Sequence, residues 1–125
     1  MNALGPVETA VRNQFSAPVV LHTLDQCRPF MLRLIDAQGI VLELGVKRAQ
    51  TRISWACLEG ILSFLRGRDW IRAGGGRNIE GEPGTLDEYL KQCIKRDTAH
   101  YIAAVLADAG IIQTATGRPL LLKLA

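Results

Sequence analysis

The stretch TLDEYLKQCIKRDTAHYIAAVLADAGII, residues 85–112, reads as two helices joined by a very short turn and running into a strand. Thr85-Leu86-Asp87-Glu88 has the pattern of a capping box, in which a hydroxyl and a carboxylate satisfy free amides of the first turn and so set where the helix starts. Leu86, Tyr89, Leu90, Cys93 and Ile94 recur at helical steps and give that helix an apolar face. After Lys95-Arg96, Asp97 or Thr98 is placed to cap a second helix carrying Ile102, Val105, Leu106 and Ala109. Gly110 stops it. Ile111 to Thr114, a turn at Ala115-Thr116-Gly117-Arg118 and Pro119 to Leu124 then make a closing hairpin.

Upstream, Trp55, Leu58, Ile61, Leu62 and Leu65 form a continuous helical stripe, with Ser54 as N-cap and Gly67 as stop. Residues 68–72 suit a short strand, and 74–84 are a loop by their glycine and proline content. The clearest strand signal lies between Pro29 and Gly45, where Phe30 to Ile35 and Ile40 to Leu44 flank a type I turn over Asp36 to Gly39, with Gly39 left-handed as a one-residue bulge. The register expected from a three-residue loop sets Leu34 opposite Leu42, Leu32 opposite Leu44 and Arg33 opposite Glu43. Val7, Val11 and Phe15 after Pro6 mark a first short helix, which Pro18 prevents from continuing. The predicted fold class is α+β, one domain over 1–125: an N-terminal helix and β-hairpin extension (1–53) and a unit at 54–124.

A chain of 125 residues, 48% hydrophobic and 22% charged, is long enough to bury one core, which argues against disorder. Apolar runs such as Leu120 to Leu122 fall far short of the ~18 residues of a membrane span. The first residues lack the features of a secretory signal, so a cytoplasmic location is expected. Cys27, Cys57 and Cys93 are an odd, widely spaced set, expected to be buried free thiols rather than a disulfide framework or a zinc site. Net charge is uneven: −1 over residues 1–46, +5 over 47–77 and −1 over the remainder. The eleven arginines against four lysines favour an anionic partner, since guanidinium grips phosphate or carboxylate with a fork. Some of these arginines are equally suited to solvating a helix face or pairing with local acids.

From Ser54 onward the order is helix, strand, helix, short turn, helix, hairpin. This resembles the winged-helix domain of many transcription regulators, over about residues 54–124, and Tyr101 to Ile112 resembles their third helix running into the wing. In that family the third helix enters the major groove and the wing touches backbone or minor groove. The resemblance implies contacts from Thr98, His100 and Tyr101 on the recognition helix, Lys95 and Arg96 at its entry and Arg118 at the wing tip. Arg72 and Arg77, which flank the glycine run, are placed to touch a nucleic-acid backbone. Ala103, Ala104, Ala107 and Asp108 stand where base-reading side chains are expected, so binding to duplex DNA would rest mainly on phosphates.

Other chemistry finds less support. Gly74-Gly75-Gly76-Arg77 offers amides to an oxyanion but lacks the nucleotide-loop spacings, and reads as a surface loop. Cys93 and His100 are read as packing and capping residues, Trp55 and Trp70 as core anchors rather than stacking platforms. No catalytic, cofactor or metal-ligating set is expected. The expectation is a small nucleic-acid-binding regulator without enzymatic activity, working as a dimer through its N-terminal helix and hairpin. The alternative is a protein-interaction module that docks partners on the exposed edge of the 30–45 hairpin.

Overall fold

A computed structural model describes residues 4–115, 117 and 119–125. The first helix, α1 (Pro6–Gln14), has Pro6 in its opening turn and buries Val7 and Val11, with Phe15 just beyond it. No local side chain caps it. Instead the Glu59 carboxylate accepts from the amides of Val7 (3.0 Å) and Glu8 (2.8 Å), placing a negative charge where the helix dipole favours one.

Four antiparallel strands follow in spatial order β1 (Val19–His22), β2 (Pro29–Asp36), β3 (Gly39–Leu44) and β4 (Ala49–Ser54). The expected hairpin is β2–β3, but both its edges are covered, β2 by β1 and β3 by β4. The hairpin edge expected to dock partners is therefore taken by the chain's own strands. Its register also differs from expectation. Asp36 pairs Gly39, so the loop is only Ala37-Gln38; Leu34 pairs Val41 and Leu32 pairs Leu42, with Arg33 left over as a bulge. One extra residue reverses the phase of the strand, and Leu34 turns outward, 44% exposed, while Leu32 is fully buried. Arg33 nonetheless reaches Glu43, 3.2 Å away. Gly39 has φ +152, positive although not the left-handed helical value, and a Cβ there would strike the Ile53 carbonyl.

Ser54 ends β4 and caps α2 (Trp55–Leu65), its hydroxyl accepting from the Cys57 amide at 3.1 Å. Beyond it come β5 (Ile71–Arg72), α3 (Leu86–Cys93), α4 (Ala99–Asp108), β6 (Ile112–Ala115) and β7 (Leu121–Leu124), and the second sheet has the order β5-β7-β6. Thr85 caps α3 by accepting from the Glu88 amide (3.3 Å), and Glu88 answers on the Gly84 amide (3.3 Å), one residue before the position a capping box predicts. The fold is α+β, with four helices and two antiparallel sheets among the described residues.

The buried side chains form one continuous cluster in which Leu58, Leu90, Ile102, Val105, Leu106 and Ile112 meet Leu32, Ile40 and Leu42 of the first sheet. The extension at 1–53 is thus built into the same core as the rest: α1 packs on α2 and α4, and β1 on α4. Three expectations are corrected here. Cys57 and Cys93 are joined in a disulfide between α2 and α3, with Cα atoms 6.1 Å apart, and Cys27 is exposed, so none of the three is a buried free thiol. Trp55 is a core anchor, but Trp70 is 39% exposed under the Lys123 ammonium. The inward face of α3 includes two charged residues, Asp87 and Lys91, both almost completely buried.

Candidate functional site

The strand registers bring distant basic residues to one end of the molecule. His22 pairs Pro29 and Leu44 pairs Ala49, so the β1–β2 loop and the β3–β4 turn leave the first sheet on the same side. Lys47 and Arg48 lie on that turn, and Arg48 needs φ 52 to close it. The short link between α3 and α4 reaches the same place, because Arg96 Nη1 donates to Thr51 Oγ1 of β4 at 3.1 Å. Lys95 stands beside it, exposed. At the start of α4, His100 Nδ1 lies 3.3 Å from an Asp25 carboxylate oxygen on the β1–β2 loop, and Tyr101 packs edge-on against Phe30 of β2, with centroids 5.1 Å apart.

Between the β1–β2 loop, the start of α4 and the glycine run lies a cleft of about 500 Å³ whose walls include Asp25, Arg28, Arg72, Gly74, Gly75, Gly76, Glu82, Asp97, His100 and Tyr101. The glycine run forms one wall. It is held from below by Lys91, whose Nζ donates to the carbonyls of Gly76 (3.0 Å) and Asn78 (2.7 Å) and pairs with Asp87 at 3.2 Å. Asp87 in turn accepts from the Glu82 amide at 3.1 Å. A buried ion pair therefore fixes a segment whose composition alone suggests an unanchored loop.

Charge is distributed unevenly between this end and the rest of the surface. Elsewhere most cations are paired: Arg12 with Glu8 (2.8 Å), Arg52 with Asp36 (2.8 Å), Arg33 with Glu43 (3.2 Å) and Lys123 with Asp69 (3.8 Å). At this end Arg72 pairs with Glu82 at 2.6 Å. Arg28, Lys47, Arg48, Arg77, Lys95 and Arg96 make no ion pair among the described residues, nor do Arg66 and Arg68 just beyond α2.

Of the residues singled out from sequence, Arg72, His100 and Tyr101 meet in the cleft, while Lys95 and Arg96 are exposed on the α3–α4 link and do not line it. Arg77 is exposed on the glycine loop next to Gly76. Thr98 is corrected: it is completely buried and has no surface to offer a base. The middle of α4 behaves alike, since Ile102 to Leu106 are all buried and α1 and β1 pack on the helix, while Asp108 at its end is exposed. Arg118 lies outside the described residues; its neighbours Gly117 and Pro119 line the cleft. Arg28, Asp25 and the Lys91 support of the loop carried no signal in the sequence. Lys47 and Arg48 belong to its basic third, but nothing in the local pattern ties them to the α3–α4 link.

Compared with family models, curated proteins and solved structures, the chain matches none. No helix among the described residues is long and apolar enough to cross a membrane.

Proposed function

We propose that this chain is a small nucleic-acid-binding regulatory protein, built on a winged-helix-like unit and acting in the cytoplasm, which grips duplex DNA chiefly by its phosphates. The observation that carries this is the set of four cations on two linked turns, Lys47, Arg48, Lys95 and Arg96, none paired with an acid among the described residues while most cations elsewhere are. The order α2-β5-α3-α4-β6-β7, with β5 closing against the hairpin, supports the winged-helix comparison. Burial of α4 argues for a different docking from the one the resemblance implies. On that helix the polar side chains that keep some exposure are His100, Tyr101 and the acidic Asp108, so phosphate neutralisation dominates and sequence selectivity is weak.

Anisotropy titration of a labelled mixed-sequence duplex at two salt concentrations tests this. Four phosphate contacts predict an affinity loss of roughly 10²-fold between ~50 and ~200 mM salt. Replacing Lys95 and Arg96 together by alanine should flatten the log–log salt slope by about two units, one per contact. Absence of binding at ~50 mM salt would overturn the proposal. A protein-interaction role would then be favoured by the outer face of the first sheet, where Val20 and Leu34 are 53% and 44% exposed. That face is also what remains for a homodimer, because α1 and the inner face of the β2–β3 hairpin are used within the chain's own core.

A further inference from the structure

The cleft is not itself basic. Arg28, Arg72 and His100 face it, but so do Asp25, Glu82 and Asp97. A bare phosphate would meet three carboxylates and only two guanidinium groups. We infer that the cleft receives an unpaired nucleobase, turned out of a duplex whose phosphates rest on Lys47, Arg48, Lys95 and Arg96. The inference rests on the nucleic-acid reading above and names what the same site recognises.

Size, chemistry and rigidity agree on this occupant. A volume of about 500 Å³ lies within the ~300–1,000 Å³ usual for pockets that enclose a small ligand, and suits a nucleoside. A base edge presents donors and acceptors side by side. Carboxylates accept from exocyclic amines and guanidinium donates to ring nitrogen and carbonyl oxygen, so a wall of mixed sign matches a base better than it matches an anion. Tyr101 supplies a stacking ring, and its edge contact with Phe30 sets the position of that ring. Gly74, Gly75 and Gly76 (φ +73, +148 and +118) hold backbone conformations that favour glycine, and a Cβ at Gly75 would lie 2.9 Å from the Asp97 carboxylate on the cleft wall. Because Lys91 ties the Gly76 carbonyl at 3.0 Å, that wall is in place before a ligand arrives. The outer cations and the inner mixed wall thus divide the work: one holds the strand, the other accepts what leaves the stack.

The test compares a perfect duplex with the same duplex carrying one bulged nucleotide, at equal salt. The wild-type chain should bind the bulged duplex roughly tenfold more tightly, the scale of one base stacking on an aromatic ring. With 2-aminopurine as the bulged base, binding should quench its fluorescence. Tyr101→Ala should reduce the bulged-to-perfect affinity ratio to about one and abolish the quenching. Should that variant misfold, Arg72→Gln, at an exposed side chain, is expected to lower the same ratio. Equal affinity for both duplexes without quenching would overturn the base pocket and leave phosphate binding standing. No binding to either would overturn both.

Discussion

Lys91 has three ammonium donors, and the fold supplies an acceptor for each: a carboxylate of Asp87 and the carbonyls of Gly76 and Asn78. A charge buried to 2% of its free surface survives only with such complete pairing. Lys91→Met would strand the Asp87 carboxylate in the core, and urea unfolding should register a loss of about 3–5 kcal/mol. Removing both charges, as Asp87→Leu with Lys91→Met, should recover part of that loss, because no lone charge remains. A single-variant loss below about 1 kcal/mol would show that the pair is not the anchor of the loop. None of this was legible in the sequence. Helical periodicity counts Asp87 and Lys91, one turn apart, both as polar and so leaves them off the apolar face. What buries them is the glycine-rich segment folding back over the helix, a tertiary event that leaves no periodic trace.

Turns were more legible than registers. Asp36 and Gly39 announce the β2–β3 reversal, and the Asp36 carboxylate does accept from the amides of Gln38 (2.9 Å) and Gly39 (3.1 Å). The bulge at Arg33 could not be read, because the ion pair to Glu43 exists in either register and the aliphatic residues around it suit both faces. Strands β1 and β4 escaped notice for a related reason: each is short, and neither pattern, Val-Val-Leu-His or Ala-Gln-Thr-Arg-Ile-Ser, alternates cleanly between apolar and polar. The turn has a measurable acid signature. Arg52 donates to both oxygens of Asp36, at 2.8 and 3.0 Å, and this pairing with the two amide bonds holds the carboxyl at about 2, below its usual 3.8. A carboxyl whose pKa falls on folding contributes stability above its unfolded pKa and loses it as pH drops through the folded one. The contribution should therefore be complete above about pH 4 and vanish as pH falls to about 2. An NMR titration of the side-chain carboxyl carbon should place its midpoint well below 3.8, and Asp36→Asn should flatten the stability profile across that window. A midpoint near 3.8 would mean that the fork to Arg52 does not persist in solution.

Across the whole molecule, organisation comes from closing a sheet over a helical unit. Element order from Ser54 onward could be read residue by residue because caps, stops and helical stripes are local signals. The candidate site could be read only in part. Arg72, His100 and Tyr101 meet in one cleft although the loop at 73–85 and a helix separate the first from the others, but Thr98 was lost to the core once β1 and α1 covered α4. Sequence patterns show which face of a helix is apolar, not whether a second layer covers the other.

The bond between Cys57 and Cys93, 36 residues apart, changes what a cut in the chain means. It closes a ring that contains the whole glycine-rich loop, and Arg77 stands exposed on that loop. Trypsin cleaving after Arg77 would leave two pieces, residues 1–77 and 78–125, each holding one of the bonded sulfurs. On a denaturing gel the nicked protein should run as a single full-mass species without reductant and as two fragments with it; two fragments in both lanes would show that the thiols are unpaired. In covalent terms the polypeptide is a lasso rather than a line, and an exposed stretch of its backbone can be severed without parting the halves on either side.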